Sequence, residues 1–342
     1  MMSPLTFVTV VFEAEVPLLE LQARSMARYL DPASVEEIII LDNSVLGLSG
    51  PSRRRLLREY GALRDRVRIV RTRELIDPGA TGGWRSQQAA KLAIARRIRT
   101  PHYVVLDAKN HFTRAASAAE FVDLTGRAFG RSHPYTTHPL RESLVGTLTY
   151  VGADAHQTER AVAAFPPTAT PFVFDTDTVR AVMDDIERRS GRTFPEEFER
   201  RKLLEFFLYA GWIETRGPGL AALRNNRSLP APAVWPKAAS VDGVRAAIAE
   251  HRREDAAVFA VHRQVLAAAD PATLARIAEA WTTFGLFPDA ASAGTFIRRF
   301  RRRYLPAIVW TRGMERVRRA VGHRKRAPRL TSPVVRSETP AI

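Results

Sequence analysis

The chain has 342 residues, of which 45% are hydrophobic, a formal net charge of +16 and no cysteine. That length can bury one large core or two smaller ones, and that hydrophobic fraction rules out wholesale disorder. The lack of cysteine excludes a disulfide framework, a thiolate metal site and a cysteine nucleophile, in keeping with a reducing compartment.

The opening, MMSPLTFVTVVFEAEV, has no basic leader and meets acids at Glu13 and Glu15, so it reads as a first strand and not as a signal peptide. Thr6 to Phe12 is a β-branched and aromatic run suited to burial. Residues 17–30 place Leu18, Leu21, Met26 and Leu30 near one helical face, with Pro17 in the first turn. Glu37 to Leu41 is a second buried strand, closed by Asp42, Asn43 and Ser44. A helix over 51–64, a strand over 66–71 and a helix over 84–98 follow, leading to the strand 103–106. Strands that are continuous apolar runs, alternating with helices, predict a mostly parallel sheet covered on both faces.

The fourth strand ends on Asp107, Ala108, Lys109, Asn110 and His111. Open α/β sheets bind ligands beyond the carboxyl ends of their strands, so this cluster, with Phe12, Glu13, Asp42 and Asn43, marks the expected site. Asp42 and Asn43 are explained almost as well by their turn-forming habit. Trp84, Gln88 and Lys91 fall at i, i+4 and i+7 of one helix face beside Gln87, where an indole could stack on a base; a core tryptophan with surface polar neighbours is the plain alternative. Gly82 and Gly83 free the backbone for a ligand or for helix entry.

Further on, residues 115–129 suggest a helix, Leu144 to Val151 a strand, Phe172 to Asp175 a strand-like run, and 176–189, 195–210 and 271–284 helices. A late strand over 256–261 ends on His262. Glu205 stands in the apolar run Leu203 to Leu208, where burial would raise its pKa into a range useful to a general base. Asp175 is its rival, with Asp177 beside it. RGPGLAAL at 216–223 has two glycines but no preceding strand and no third glycine, so a dinucleotide fingerprint is rejected.

Residues 297–329 hold 13 Lys/Arg against one acid, +12 of the total +16. Aromatic and aliphatic residues interleave with these arginines, which suits an anionic membrane surface. No recognition motif accompanies the charge, so no specific nucleic acid is expected.

The segments FVTVVFEAEVPLLELQARS, IIILDNS, GWRSQQAAKL, YVVLDAKNHF, TPFVFDT, LLEFFLYAGW and VFAVHR, in this order and spacing, cover residues 6 to about 265. Together they resemble bacterial glycosyltransferase-like proteins of the GT-A type, in particular a group related to capsule and lipopolysaccharide sugar transferases. The resemblance implies a GT-A-like α/β fold over 1–290, with a nucleotide-binding half of about 1–114 and an acceptor half of about 115–290. A basic amphipathic tail over 291–330 and a disordered end over 331–342 would follow. It implies a nucleotide-sugar donor and a hydroxyl acceptor on an envelope or capsular glycan or a lipid-linked sugar; a cytoplasmic location, peripheral on the inner membrane face, is expected from the basic tail and from the absence of any apolar run near the roughly 18 residues that span a bilayer.

In that family an Asp-x-Asp after the strand holds Mn²⁺ or Mg²⁺ on the diphosphate. Here Asp107 matches the first aspartate while Lys109 stands at the second. Either Asp107 keeps a cation with His262, or the ammonium meets the phosphate directly. Glu205 or Asp175 would be the base. Two other readings stay open: a non-catalytic binder of anionic ligands, and a nucleotidyltransferase on a similar sheet.

Overall fold

A computed structural model describes residues 2–76 and 83–325, with the side chains of 83, 84 and 310–325 left aside. The expected disordered end at 331–342 and the backbone role of Gly82 lie outside the described residues, as does the side chain of Trp84.

The first half runs β1 (Leu5–Val11), α1 (Val16–Tyr29), β2 (Val35–Asp42), α2 (Gly50–Glu59), β3 (Val67–Arg71), α3 (Gly83–Ala93), β4 (His102–Asp107), β5 (Asn110–Phe112) and β6 (Ala128–Phe129). Then come α4 (Arg141–Val151), α5 (Ala155–Ala163), β7 (Phe172–Asp175), α6 (Thr176–Ser190), α7 (Phe194–Arg200), α8 (Glu205–Arg216), α9 (Leu220–Leu223), β8 (Arg224–Asn225) and β9 (Ala233–Val234). The described residues end with α10 (Val241–Arg253), β10 (Val258–Val261), α11 (Arg263–Ala268), α12 (Pro271–Thr283) and α13 (Ala290–Lys325).

The main sheet has five strands in the order β3-β2-β1-β4-β7. The first four pair in parallel, while β7 runs antiparallel to β4. The register aligns the carboxyl ends: Val11 faces Asp42, Asp42 faces Arg71, and Val10 faces Asp107. Alternation along the strands divides the core. Phe7, Val11, Ile38, Ile40, Val104 and Leu106 pack with α1, α2, α10, α12 and α13. Val8, Val10, Ile39, Leu41, Tyr103 and Val105 pack on the other face with α3, α6, α7 and α8. The result is a mixed α/β fold, a mainly parallel sheet between helical layers, as β-branched strands buried on both faces require.

A second sheet, β5-β10-β9, starts only two residues after β4. Its pairings, Phe259 with His111 and Val261 with Val234, bring the ends of β10 and β9 beside Asp107 to Lys109.

Four expectations change. Residues 115–129 form no α-helix, only a 3-10 turn at Ala118–Glu120: Ala116 bridges to Leu30, and Asp123 accepts amide bonds from Thr125 and Arg127 around Gly126, whose φ is +84°. Residues 144–151 are helical and not a strand, because Leu144, Leu148 and Val151 at i, i+4 and i+7 all meet the core. The single helix expected over 195–210 is two, α7 and α8, broken where Lys202 takes a φ of +55°. Finally, α13 is rooted in the body: Ala293, Ile297, Phe300 and Tyr304 are buried in the main core. Burying Ile297 and Phe300 contributes on the order of 2 kcal/mol each. A boundary at 291 would therefore cut through a core helix. Arg298, Arg301, Arg302 and Arg303 point to solvent from its outer face.

Candidate functional site

The site is built on the turn from β4 into β5. Gln22, fully buried on α1, holds it: its amide donates to the carbonyls of Asp107 at 2.7 Å and Asn110 at 3.0 Å and accepts from the Thr9 hydroxyl. The Asn110 side chain closes the turn by accepting from the Asp107 amide at 2.8 Å and from the Thr170 hydroxyl. His111 faces the core and accepts from the Trp281 indole at 3.0 Å; burial pushes its pKa down to about 3, so it is neutral. Neither Asn110 nor His111 reaches the open side of the site.

Asp107, with about a third (36%) of its side chain exposed, has one ammonium on each oxygen. Lys91 Nζ lies 3.4 Å from Oδ1, and Lys109 pairs with Oδ2. Burial by itself would raise the Asp107 pKa, but Lys109 and Lys91 outweigh it and hold the carboxyl well below the usual range. Lys91 also reaches Glu205 Oε1 at 3.2 Å. The side chains of Lys91 and Glu205 are 10% and 5% exposed, so this is a buried pair. Burial favours a neutral Lys91, yet Asp107 and Glu205 together raise its pKa, and it carries its charge. Glu205 is pushed up by burial, which Lys91 opposes. Glu205 arrives here because the break at Lys202 makes it the first residue of α8.

The second sheet supplies the facing wall. Trp235, 48% exposed after β9, has Lys109 Nζ at 5.2 Å from its ring centre and the His262 ring at 5.4 Å. Burial, then the charges of Arg263 and Lys109, push His262 down to about 4, so it too is neutral. Arg263 pairs with Glu15 and covers the Phe12 ring at 5.3 Å. The Glu15 pKa is raised, chiefly by burial, and Glu15 feels the charges of both Asp107 and Lys109. Glu15, Trp235 and Arg263 join the site without belonging to any catalytic motif in the sequence. Arg263 follows His262 directly at a strand end, and Trp235 sits exposed in a proline-flanked APAVWP; both were available signals.

Other expected residues fall elsewhere. Asp175, opposite His102 in the register, lies at the far end of β4 and caps α6 by accepting from the Thr178 amide at 2.8 Å. It cannot serve a reaction at Asp107, because β7 runs antiparallel. Asp42 is spent on its own turn, accepting from the amides of Ser44 and Leu48 and from Arg71 at 3.1 Å. Glu13 accepts from the Val45 amide, and the Asn43 amide donates to the Val11 carbonyl. Gln88 is buried on the Lys91 side of α3, with its Oε1 unbonded among the described residues. The Glu205 carboxylate, 5% exposed and paired with Lys91, offers an acceptor hydroxyl little access.

The donor set does not fit the divalent cation expected on Asp107 and His262. Among the described residues no group of three His, Asp or Glu side chains is placed to hold a metal. A dication on either Asp107 oxygen would sit roughly 3 Å from an ammonium, a repulsion on the order of 10 kcal/mol at an effective dielectric of about 20.

Among the described residues no helix is long and apolar enough to cross a membrane. Solved structures similar to the chain include the galactosyltransferase LgtC in complex with donor and acceptor sugar analogs, at 11% identity and a TM-score of 0.48, covering 82% of this chain and 95% of LgtC. An active-site mutant of LgtC matches at 14% identity and 0.46, over the same shares. The apo bifunctional glycosyltransferase WbbM matches at 12% identity and 0.39, covering 76% of this chain and 46% of WbbM. No curated protein matches in sequence. Residues 9–227, well over half of the chain, match the family of unknown function DUF6492, and the chain belongs to that family.

Proposed function

We propose that this protein transfers a sugar from a nucleotide-sugar donor to a hydroxyl acceptor. The observation that carries the reading is Asp107 held between two ammonium groups at the carboxyl edge of a parallel sheet, with an exposed indole opposite. Strand ends of this kind bind nucleotides. In the transfer, the acceptor oxygen bonds to the anomeric carbon as the bond from that carbon to the diphosphate oxygen breaks; the hydroxyl proton passes to the departing diphosphate or to solvent water, and negative charge builds on the departing group. Preorganised cations placed there stabilise that charge without reorganising. Lys109, beside the exposed Trp235 ring, supplies such a cation, and Lys91 adds a second on the other oxygen of Asp107.

The direct test incubates the protein with UDP-, GDP- and CMP-sugars and follows release of the free nucleotide, with Asp107→Asn as control. Release by the wild type and not by the variant is expected. No release from any donor, with no thermal shift by any of them, would overturn the reading. Release of pyrophosphate would point instead to nucleotidyl transfer.

The outer face of α13 favours a further element of the same reading. Arg298, Arg301, Arg302 and Arg303 are exposed together with Leu305 and Val309, a combination suited to anionic lipid headgroups. A peripheral position on the inner membrane face fits an acceptor that is an envelope glycan or lipid-linked sugar. The same face also favours the rival reading, a non-catalytic binder of anions. That rival predicts that Asp107→Asn leaves all binding unchanged.

A further inference from the structure

We infer that the site, if it holds a nucleotide diphosphate as proposed above, does so without a divalent cation, with Lys91 and Lys109 supplying the two positive charges.

The argument is one of charge and place. A pair of carboxylates with a dication sums to zero, and so does the set found here: Asp107 and Glu205 against Lys91 and Lys109. The two ammonium groups occupy the two oxygens of Asp107 separately, which is where a bound cation would have to be. They differ in partners. Lys91, 10% exposed, is shared between Asp107 and Glu205. Lys109, 14% exposed, pairs with Asp107 beside the half-exposed Trp235 ring, and its three donors can turn from that carboxylate to a phosphate oxygen. Arg263, tied to Glu15 on the facing wall, stands close enough to push down the His262 pKa. Neutral His262 then adds no charge that would oppose a cation, yet among the described residues no second carboxylate joins it to make a metal-binding set.

The test is equilibrium binding of UDP, GDP, CDP and ADP by calorimetry, in EDTA and again in Mn²⁺, for the wild type, Lys109→Met and Lys109→Asp. The wild type is expected to bind at least one of them equally well in both conditions. Lys109→Met should lose about tenfold or more in affinity, the loss of one charge-assisted hydrogen bond, with or without Mn²⁺. Lys109→Asp should lose binding in EDTA and recover it in Mn²⁺. Wild-type binding that appears only with Mn²⁺ overturns this inference and leaves the donor-site reading standing. So does a Lys109→Met variant that binds in EDTA as the wild type does. Failure to bind any nucleoside diphosphate in either condition overturns both.

Discussion

Replacing Lys91 with methionine should destabilise the protein at neutral pH and hardly at all at pH 5. The side chains are close in length, so packing is nearly kept. What is lost is the side-chain partner that Glu205, whose carboxylate is 5% exposed, has among the described residues. Asp107 keeps Lys109 and stays ionised. Removing one member of a buried pair typically costs about 3–5 kcal/mol, but Glu205 has an escape, since it can take up a proton. Keeping a carboxyl that ordinarily titrates at 4.5 protonated at pH 7 costs at most about 3.4 kcal/mol, at about 1.36 kcal/mol per pH step. At pH 5 the same cost is about 0.7 kcal/mol.

The sign follows from proton counting. Folded Lys91→Met holds a proton on Glu205 that the unfolded chain releases above pH 4.5, so its stability falls as pH rises from 5 to 7. Urea denaturation followed by circular dichroism at pH 5, 6 and 7 measures this against the wild type. The double variant Lys91→Met/Glu205→Gln, which has no charge left to bury, should recover most of the loss at pH 7. A deficit that does not change with pH, or a double variant as unstable as the single one, would refute the pairing.

Three other outcomes follow from the same geometry. Asp175→Ala removes the cap on α6 and should cost about 1 kcal/mol of stability while leaving nucleotide binding intact, whereas Asp107→Ala should abolish binding; thermal melts and calorimetry on both variants separate the two residues. Trp235→Ala, at an exposed position, should change stability by less than about 1 kcal/mol yet weaken nucleotide or acceptor binding several-fold, and unchanged affinity would remove the indole from the site. Reversing Arg298, Arg301 and Arg302 to glutamate should weaken sedimentation with phosphatidylglycerol vesicles at least roughly a hundredfold, at about 1 kcal/mol per basic residue, and equal binding to neutral vesicles would refute a charge-driven attachment.

The first half of the fold was readable because its signals are local. Val8 to Val11, Ile38 to Leu41 and Tyr103 to Leu106 are β-branched and aromatic runs closed by turn residues, and each became a parallel strand. The second half hides its structure in short strands and long-range pairs. The direction of β7 depends on its partner, and nothing in Phe172 to Asp175 distinguishes parallel from antiparallel pairing. That ambiguity alone moved Asp175 from one end of the sheet to the other. LVGTLTYV has the composition of a strand but the spacing of a helix, and the spacing prevailed once the face it offered met the core.

The site divides in the same way. Asp107 and Lys109 stand out because they are two residues apart at a strand end. Lys91 and Glu205 are 114 positions apart, and only contact shows that they belong together. Each was visible singly, Lys91 on a polar helix face and Glu205 as an acid among apolar neighbours. An acid in an apolar run requires a cation or a proton, and the sequence holds many arginines that could have served. The choice of a lysine on α3 matters chemically, because a point charge can be shared between Glu205 and Asp107 where a planar guanidinium would grip one carboxylate. Sharing is what couples the buried acid to the open end of the site, so that a proton gained by Glu205 leaves Lys91 more fully committed to Asp107 and Lys109 freer to meet a phosphate.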